Sequence, residues 1–328
     1  MYTLYGALAS PYSQKMRAIL RYRRLTHVWA HGAIAQAMTT KVKAPVIPVL
    51  EFPDGTYAND TTPLIYTLEE RHQARSIVPS DEGHAFLAHL IEDFADEWLT
   101  KAMFGYRWLE EIDQKQMSEW LAFDAFKGGG EQALAHAKTF RERQVGRMGI
   151  VGCTRENFPL IEASTKRVLA ALEGQVTSDH WLFGSRPSMA EFSLFGQLSQ
   201  LGTDPTAQAM MRAEFPYTYR WLAHVDDASG IEGEWETPGA DVKPATKAIL
   251  AEVGRVYAPF LIANARAAEA GEETFRMEVD GLPYEQGVFK YQLKCLADLR
   301  SRYAALSAPA KASVEPLLRE AEALAFLT

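Results

Sequence analysis

The chain has 328 residues, room for about two average domains, and its 47% hydrophobic and 23% charged residues can bury a core without disulfides or metals. Its 22 Gly and 16 Pro are too few for a low-complexity or collagen-like chain, which excludes disorder on a large scale. Thirty-four Lys plus Arg stand against 42 Asp plus Glu, a formal charge of -8 that argues against nucleic acid as a partner.

The two cysteines, Cys153 and Cys295, allow at most one bridge, a usage that fits a reducing compartment. Met1 to Gly6 carries no basic leader, and no window of about 18 residues is both free of charge and mostly apolar. A cytoplasmic protein without a membrane partner is expected.

In chain order, Tyr2 to Gly6 predicts a strand and Ser10-Pro11 opens a helix whose apolar stripe includes Tyr12, Met16, Ile19 and Leu20. Arg17, Arg21 and Arg24 share one side of that helix and predict a solvated face. Thr26 to His31 predicts a second strand. Val46 to Phe52 and Thr56 to Ala58 flank Pro53-Asp54-Gly55, a turn that closes an antiparallel hairpin. A helix from about Leu64 to Arg75 ends before Pro79, giving the order β-α-β-loop-β-β and a helix.

Beyond residue 81 the strand signals fade. Phe86, Leu90, Phe94 and Trp98 recur every four residues along a helix toward Leu109. Further helices are expected over Gln114–Ala125, Glu131–Arg147, Pro159–Leu172, Ala190–Gln200 and Ala207–His224. Asp226 to Val242 reads as a linker, followed by a helix over Pro244–Ala268, a hairpin around Asp280-Gly281, and helices over Lys290–Leu306 and Val314–Leu327.

Three segments could carry chemistry. Ser10-Pro11-Tyr12-Ser13 sets hydroxyls where a strand passes into a helix, and free N–H groups with the helix dipole favour an anion there. Ser10 with Pro11 is equally a standard N-cap, so the pattern leaves both roles open. Pro48 interrupts the apolar run Val46 to Leu50 and belongs at an edge or in a cis bond; an ordinary trans proline opening a strand is the alternative. Asp60 offers an acceptor for an ammonium and Thr61 a hydroxyl and N–H for a carboxylate, while either residue can instead cap the helix.

Together these segments resemble the soluble glutathione transferases, whose first domain runs strand, catalytic turn, helix, and later a Val-Pro-Val-Leu hairpin followed by an acidic residue and a Ser/Thr. The hairpin here is Ile47-Pro48-Val49-Leu50. The likeness extends to Phe183-Gly184-Ser185-Arg186-Pro187-Ser188-Met189-Ala190-Glu191, similar to the family's capping-box segment, with Ser188 and Glu191 as the reciprocal pair. It covers about residues 1 to 225.

The resemblance implies an α/β thioredoxin-like glutathione-binding domain over residues 1–80, an all-helical substrate domain over 81–228 and a mostly helical C-terminal extension over 229–328. It implies a serine-type, bacterial-like member in which Ser10 faces the sulfur of glutathione, with Ser13 and Tyr5 as competing hydroxyls. Ile47 beside cis-Pro48 would pair with the cysteinyl backbone, and Asp60 with Thr61 would hold the γ-glutamyl end. Tyr12 and Lys43 are further peptide contacts; the family's basic residue for the glycyl carboxylate, close before the Val-Pro pair, is Val46 here, with Lys41 and Lys43 slightly earlier. The co-substrate is glutathione without a metal, the second substrate a small hydrophobic electrophile, and the assembly a homodimer. Reduction, isomerisation or lyase chemistry, or a non-catalytic binding or scaffold role, are the alternatives.

In the helical domain, Tyr106 and Arg107 are the polar members of an aromatic-rich stretch and the candidate second-substrate contacts; Trp98, Phe104 and Trp108 are expected in the core. His89 and Asp93 have the spacing of two ligands on one helix face, but with one histidine in the group a polar surface is expected instead of a metal site. The extension, with Trp235, Tyr257, Phe260, Tyr284 and Tyr291, is expected to cover the substrate cleft, extend a dimer interface or bury apolar helix faces.

Overall fold

In the computed structural model, which describes residues 1–126 and 128–328, strand β1 (Tyr2–Gly6) alternates buried Tyr2, Leu4 and Gly6 with half-buried Thr3 and Tyr5. That period of two makes one face of the sheet the core face. Helix α1 (Pro11–Tyr22) starts at Ser10, whose side chain accepts from the Ser13 N–H, and Pro11 suits the first turn because its missing N–H would have had no helical partner. Strand β2 (His27–His31) returns parallel to β1. Helix α2 (Ala33–Met38) lies in the stretch expected as loop; it is short and buries only Ala35, so it leaves no periodic signal.

Strands β3 (Val49–Glu51) and β4 (Tyr57–Asn59) form the expected antiparallel hairpin. β3 is shorter than the run Val46 to Phe52 because Pro48, which follows a cis Ile47-Pro48 bond, gives no N–H to a ladder. Helix α3 (Thr61–Arg71) ends before the expected Arg75, with His72 already extended. The strand order β2-β1-β3-β4 is a mixed sheet of thioredoxin type.

The helical part begins with α4 (Glu82–Phe94), a π-helical turn over Ala95–Leu99 and α5 (Thr100–Leu109), so the single helix expected here carries a widened turn in its middle. It continues through α6 (Glu111–Phe126), α7 (Glu131–Val145), α8 (Phe158–Val176) and α9 (Met189–Leu201). Helix α9 is buried nearly all round, and Ser188 and Glu191 close its capping box, with Ser188 N donating to Glu191 Oε2 at 2.9 Å. The helix expected over Ala207–His224 is two, α10 (Pro205–Glu214) and α11 (Pro216–Asp226), because Pro216 cannot donate to the preceding turn and turns Phe215 out of helical geometry.

The expected linker is a packed strap. Ser185 N donates to Glu234 O at 2.9 Å, and Gly184 bridges to Trp235. Arg21 reaches Asp226, and Arg24 and Arg75 reach Glu232, so the arginine side of α1 is partly an interface with this strap instead of a solvated face. Then follow α12 (Pro244–Glu252), a π-helical turn over Val253–Tyr257, α13 (Ala258–Ala270), the hairpin β5 (Thr274–Val279) and β6 (Leu282–Gly287), α14 (Lys290–Ala305) and α15 (Ala308–Glu320). The stretch Pro244–Ala270 is long and apolar enough to cross a membrane, yet 61% of its most apolar window is buried in this fold. Within it a Cβ on Gly254 would lie 1.7 Å from the Ala321 carbonyl oxygen, so only glycine lets the last helices close on it.

These layers share one core, from Leu4 in β1 to Leu327 near the C-terminus. Helices α14 and α15 pack on α4, and α12 on α8, so the extension buries apolar helix faces of the domain before it.

Candidate functional site

The ladder register assembles the site. Tyr5 at the end of β1 lies opposite Val49 at the start of β3, and Val49 lies opposite Asn59 at the end of β4. The next residues along the chain at that row, the loop to Ser10, the cis Ile47-Pro48 bond and Asp60-Thr61, therefore share one end of the sheet. Asn59 Nδ2 donates to the carbonyl oxygens of Ala44 and Val46 at 2.6 and 3.2 Å, which fixes the segment entering Pro48. Among the described residues, the Ile47 N–H and C=O take no backbone partner and form an open edge. Lys43 is exposed on the same segment.

Ser10 is half-buried at the N-terminus of α1. Its Oγ accepts from Ser13 N at 3.2 Å, which leaves the hydroxyl proton available to an incoming acceptor. Capping and anion contact are thus compatible in one side chain. Ser13 is fully buried and its Oγ accepts from Ala7 N at 3.2 Å, so it shapes the loop from beneath. Tyr5 donates to Glu51 Oε2 at 2.7 Å, and that hydrogen bond, with burial, raises the phenol to about 12. Tyr12 points into the helical layer, donating to the Asp96 carbonyl oxygen at 2.9 Å.

Asp60 has φ 73°, a left-handed conformation rare outside glycine, and its side chain makes no capping hydrogen bond to α3. It stands exposed, accepting from the Tyr291 hydroxyl at 3.1 Å. The Thr61 hydroxyl is engaged below the site, 3.2 Å from both Lys15 Nζ and Asp96 Oδ2, so its N–H at the start of α3 is the group left for a carboxylate.

Lys15 is the residue sequence reasoning passed over. It is fully buried, with Nζ 2.5 Å from Glu92 Oε1 and 2.7 Å from Asp96 Oδ2. Burial works against its charge, but Asp96 and Glu92 hold it above its ordinary value; burial also pushes Asp96 up to about 7 against the pull of Lys15. Thr62 donates to Glu92 Oε1 at 2.7 Å, so the ion cluster braces the start of α3 from inside. The signal was available: Lys15 falls on the same helix side as Ile19, within the apolar stripe.

The helical candidates behave differently from expectation. Tyr106 is buried and donates to Glu162 at 2.8 Å. Arg107 is also buried, bound to Asp204, to Gln200 Oε1 at 2.8 Å and to the Ala9 carbonyl oxygen at 2.7 Å. Neither lines the open cleft of about 840 Å³ beside the site. That cleft is walled by Leu8 and Ala9 of the loop before Ser10, by Trp120 and Phe123 of α6, and by Arg212 and Tyr219 farther along. No described residue beyond Asp226 lines it, so the extension does not cover this cleft. Of the extension's aromatics, Tyr257, Phe260 and Tyr284 are buried against Phe94 and Trp98 of the helical domain, Trp235 stacks under Arg186, and Tyr291 reaches the first domain. His89 pairs with Asp298, Asp93 with Tyr257 and Asp96 with Lys15, so the three residues face different partners.

The family model of the glutathione S-transferase N-terminal domain matches residues 4–76, and that of the C-terminal domain residues 133–224. No curated protein matches the sequence. Solved structures similar to the chain include a glutathione S-transferase from Rhodospirillum rubrum, 18% identical, covering 76% of this chain and 92% of that one with a TM-score of 0.44. Another, from Methylobacillus flagellatus with glutathione bound, is 17% identical, covering 68% of this chain and 93% of that one with a TM-score of 0.41. Likenesses this distant carry no argument about activity. The two matched domains, in order and on the expected fold, mean that the chain belongs to the glutathione S-transferase superfamily.

Proposed function

We propose that the chain is a serine-type glutathione transferase: the tripeptide binds along the Ile47 edge, its thiolate is stabilised at Ser10, and a small hydrophobic electrophile enters from the cleft beside Leu8 and Ala9. The observation that carries this reading is the register row Tyr5, Val49, Asn59, whose continuations bring an open helix start, an open backbone edge and an unpaired-to-helix carboxylate to one end of the sheet.

The chemistry is physically adequate. A thiol with pKa about 8.5 is about 3% ionised at pH 7, and lowering it to about 6.5 takes about 2.7 kcal/mol of selective thiolate stabilisation. A hydrogen bond to a charged group contributes about 1.5–3 kcal/mol and a helix N-terminus about 0.3–2 kcal/mol. Ser10 and the first turn of α1 together span the requirement. The tripeptide's γ-glutamyl ammonium is then matched to Asp60 and its carboxylate to the Thr61 N–H, while Lys43 is the cation nearest in sequence for the glycyl end.

The same reading divides the chain at 1–80, 81–228 and 229–328 and takes a cytoplasmic homodimer as the working assembly, on family membership alone. Titration calorimetry with glutathione, followed by conjugation of a chloronitrobenzene, tests it. Binding with turnover is expected. Binding without turnover supports the scaffold alternative, and absence of binding removes the proposal.

A further inference from the structure

Tyr291 comes from a part of the chain that lies beyond both matched family domains, which end at residue 224. It nevertheless meets Asp60 across 231 residues of sequence, its hydroxyl 3.1 Å from Asp60 Oδ2. The contact sits on a braced element. Buried Asn264 clamps the start of α14 in both directions, donating to the Phe289 carbonyl oxygen at 3.1 Å and accepting from the Phe289 N–H at 2.8 Å. One turn and more farther on, Asp298 pairs with His89 of α4 at 3.0 Å, and Arg302 stacks over Tyr66 of α3 at 4.5 Å. Helix α14 is therefore held on α13 and α4, and from there its Arg302 and Tyr291 side chains reach α3 and Asp60, the residue that opens it.

Asp60 needs such a partner. Its backbone lies in the left-handed region and its carboxylate makes no capping hydrogen bond to α3, so within its own segment only the nearby Thr62 N–H acts on the side chain. Burial of the Tyr291 ring and the nearby Asp60 charge both hold the phenol well above its ordinary value, which keeps it protonated and donating. A carboxylate accepts about four hydrogen bonds, so one donor from Tyr291 leaves capacity for an ammonium.

We propose that Tyr291 is a positioning residue of the peptide site, orienting the Asp60 carboxylate toward the α-ammonium of the γ-glutamyl group, so that the C-terminal extension sets recognition of the amino end of glutathione. This rests on the reading of Asp60 as the ammonium contact. Tyr291 does not touch the sulfur and has no part in the thiolate chemistry.

The test compares glutathione with glutaryl-cysteinylglycine, the same peptide without its α-amino group, by calorimetry on the full-length chain and on Tyr291→Phe, Asp60→Asn and the double variant. Tyr291→Phe is expected to weaken glutathione about tenfold, the loss of one hydrogen bond to a charged acceptor. It should leave the deaminated peptide unchanged, and should add nothing once Asp60→Asn is present. Equal losses for both peptides, no loss for glutathione, or tighter binding overturns the proposal. If Asp60→Asn itself leaves glutathione binding intact, the reading of Asp60 fails first, and that result is separate from a Tyr291→Phe variant that binds normally beside a weakened Asp60→Asn.

Discussion

Arg107 on α5 donates to the carbonyl oxygen of Ala9 at 2.7 Å while its other nitrogens hold Asp204 and Gln200. One buried guanidinium thus ties the residue before Ser10 to two helices of the second domain. Burial pushes Asp204 up to about 6 even with Arg107 beside it. Replacing Arg107 by Met is expected to lower the unfolding free energy by about 3–5 kcal/mol, because it leaves a buried carboxylate without its partner. The Ala9–Ser10 turn also loses its anchor, so kcat should fall by a larger factor than KM for glutathione rises. Urea unfolding and steady-state kinetics on the same preparation check both; unchanged kcat in a folded variant would mean that the turn holds itself.

Lys15 braces the other half of the site. With its ammonium removed, Glu92 and Asp96 remain buried and face each other under Thr61 and Thr62. Lys15→Met is expected to cost about 3–5 kcal/mol. Adding Asp96→Asn should recover part of that, since it removes one of the two stranded carboxyl groups. A double variant no more stable than the single one would show that the cluster does not behave as one charge network.

Local chemistry made half of this legible. Ser10-Pro11, Pro53-Asp54-Gly55, Asp280-Gly281 and the Ser188/Glu191 box announce themselves because each depends on residues within a few positions of one another. Helix α2 gives no signal because it is short with one buried residue, and the break at Phe215 is hidden because Ala207 to His224 keeps a helical stripe through Pro216. The polar contacts that hold the site together join distant positions: Lys15 with Glu92, Arg107 with Ala9, Tyr291 with Asp60. No spacing rule connects such pairs. Arg107 and Tyr106 looked like substrate contacts for the same reason, since their partners Asp204 and Glu162 lie far along the chain.

On the proposed reading of Asp60 as the ammonium contact, glutathione binding acquires a pH limb. Desolvation by the groups around it raises its carboxyl above the ordinary value, against the Tyr291 hydrogen bond; Glu92 of α4 pushes the same way, and Lys15 of α1 and the Thr62 backbone oppose it. The ionised form is the one that pairs with an ammonium. Affinity for glutathione should therefore fall as pH drops through this raised value, at a higher pH than for an aspartate of ordinary pKa. The deaminated peptide should lack that limb. Calorimetry from pH 7 downward, over the range where the fold is intact by circular dichroism, measures it.

Under the proposed function, Ser10→Ala is expected to separate thiolate stabilisation from peptide binding. The loss of one hydrogen bond to a charged sulfur, about 1.5–3 kcal/mol, should raise the pKa of bound glutathione by about 1–2 units. Affinity should change much less, because the Ile47 edge, Asp60 and Thr61 are untouched. Loss of the cap on α1 adds about 1 kcal/mol of destabilisation. Ultraviolet thiolate absorbance against pH reads the first effect. An unchanged titration would move the role to the N–H groups of the first turn.

Lys101 predicts how stability itself varies with pH, away from the site. It is buried, donates to Gln286 Oε1 at 2.8 Å and to the Val151 carbonyl oxygen at 3.1 Å, and has no carboxylate at ion-pair distance among the described residues. Burial lowers it to about 8 from an ordinary value of 10.5. Below pH 8 both folded and unfolded chains carry this proton, and the folded state bears the whole cost of the buried charge. Between about 8 and 10.5 the unfolded chain holds the proton more tightly, so this group makes the protein more stable as pH rises, by about 3 kcal/mol in total. Lys101→Met should abolish that rise while changing stability at pH 7 by less, because the freed charge penalty is offset by the acceptors left at Gln286 and Val151. Urea midpoints of both proteins at pH 7.5 and pH 10 decide the matter: parallel changes would mean that Lys101 keeps an ordinary pKa in the folded chain.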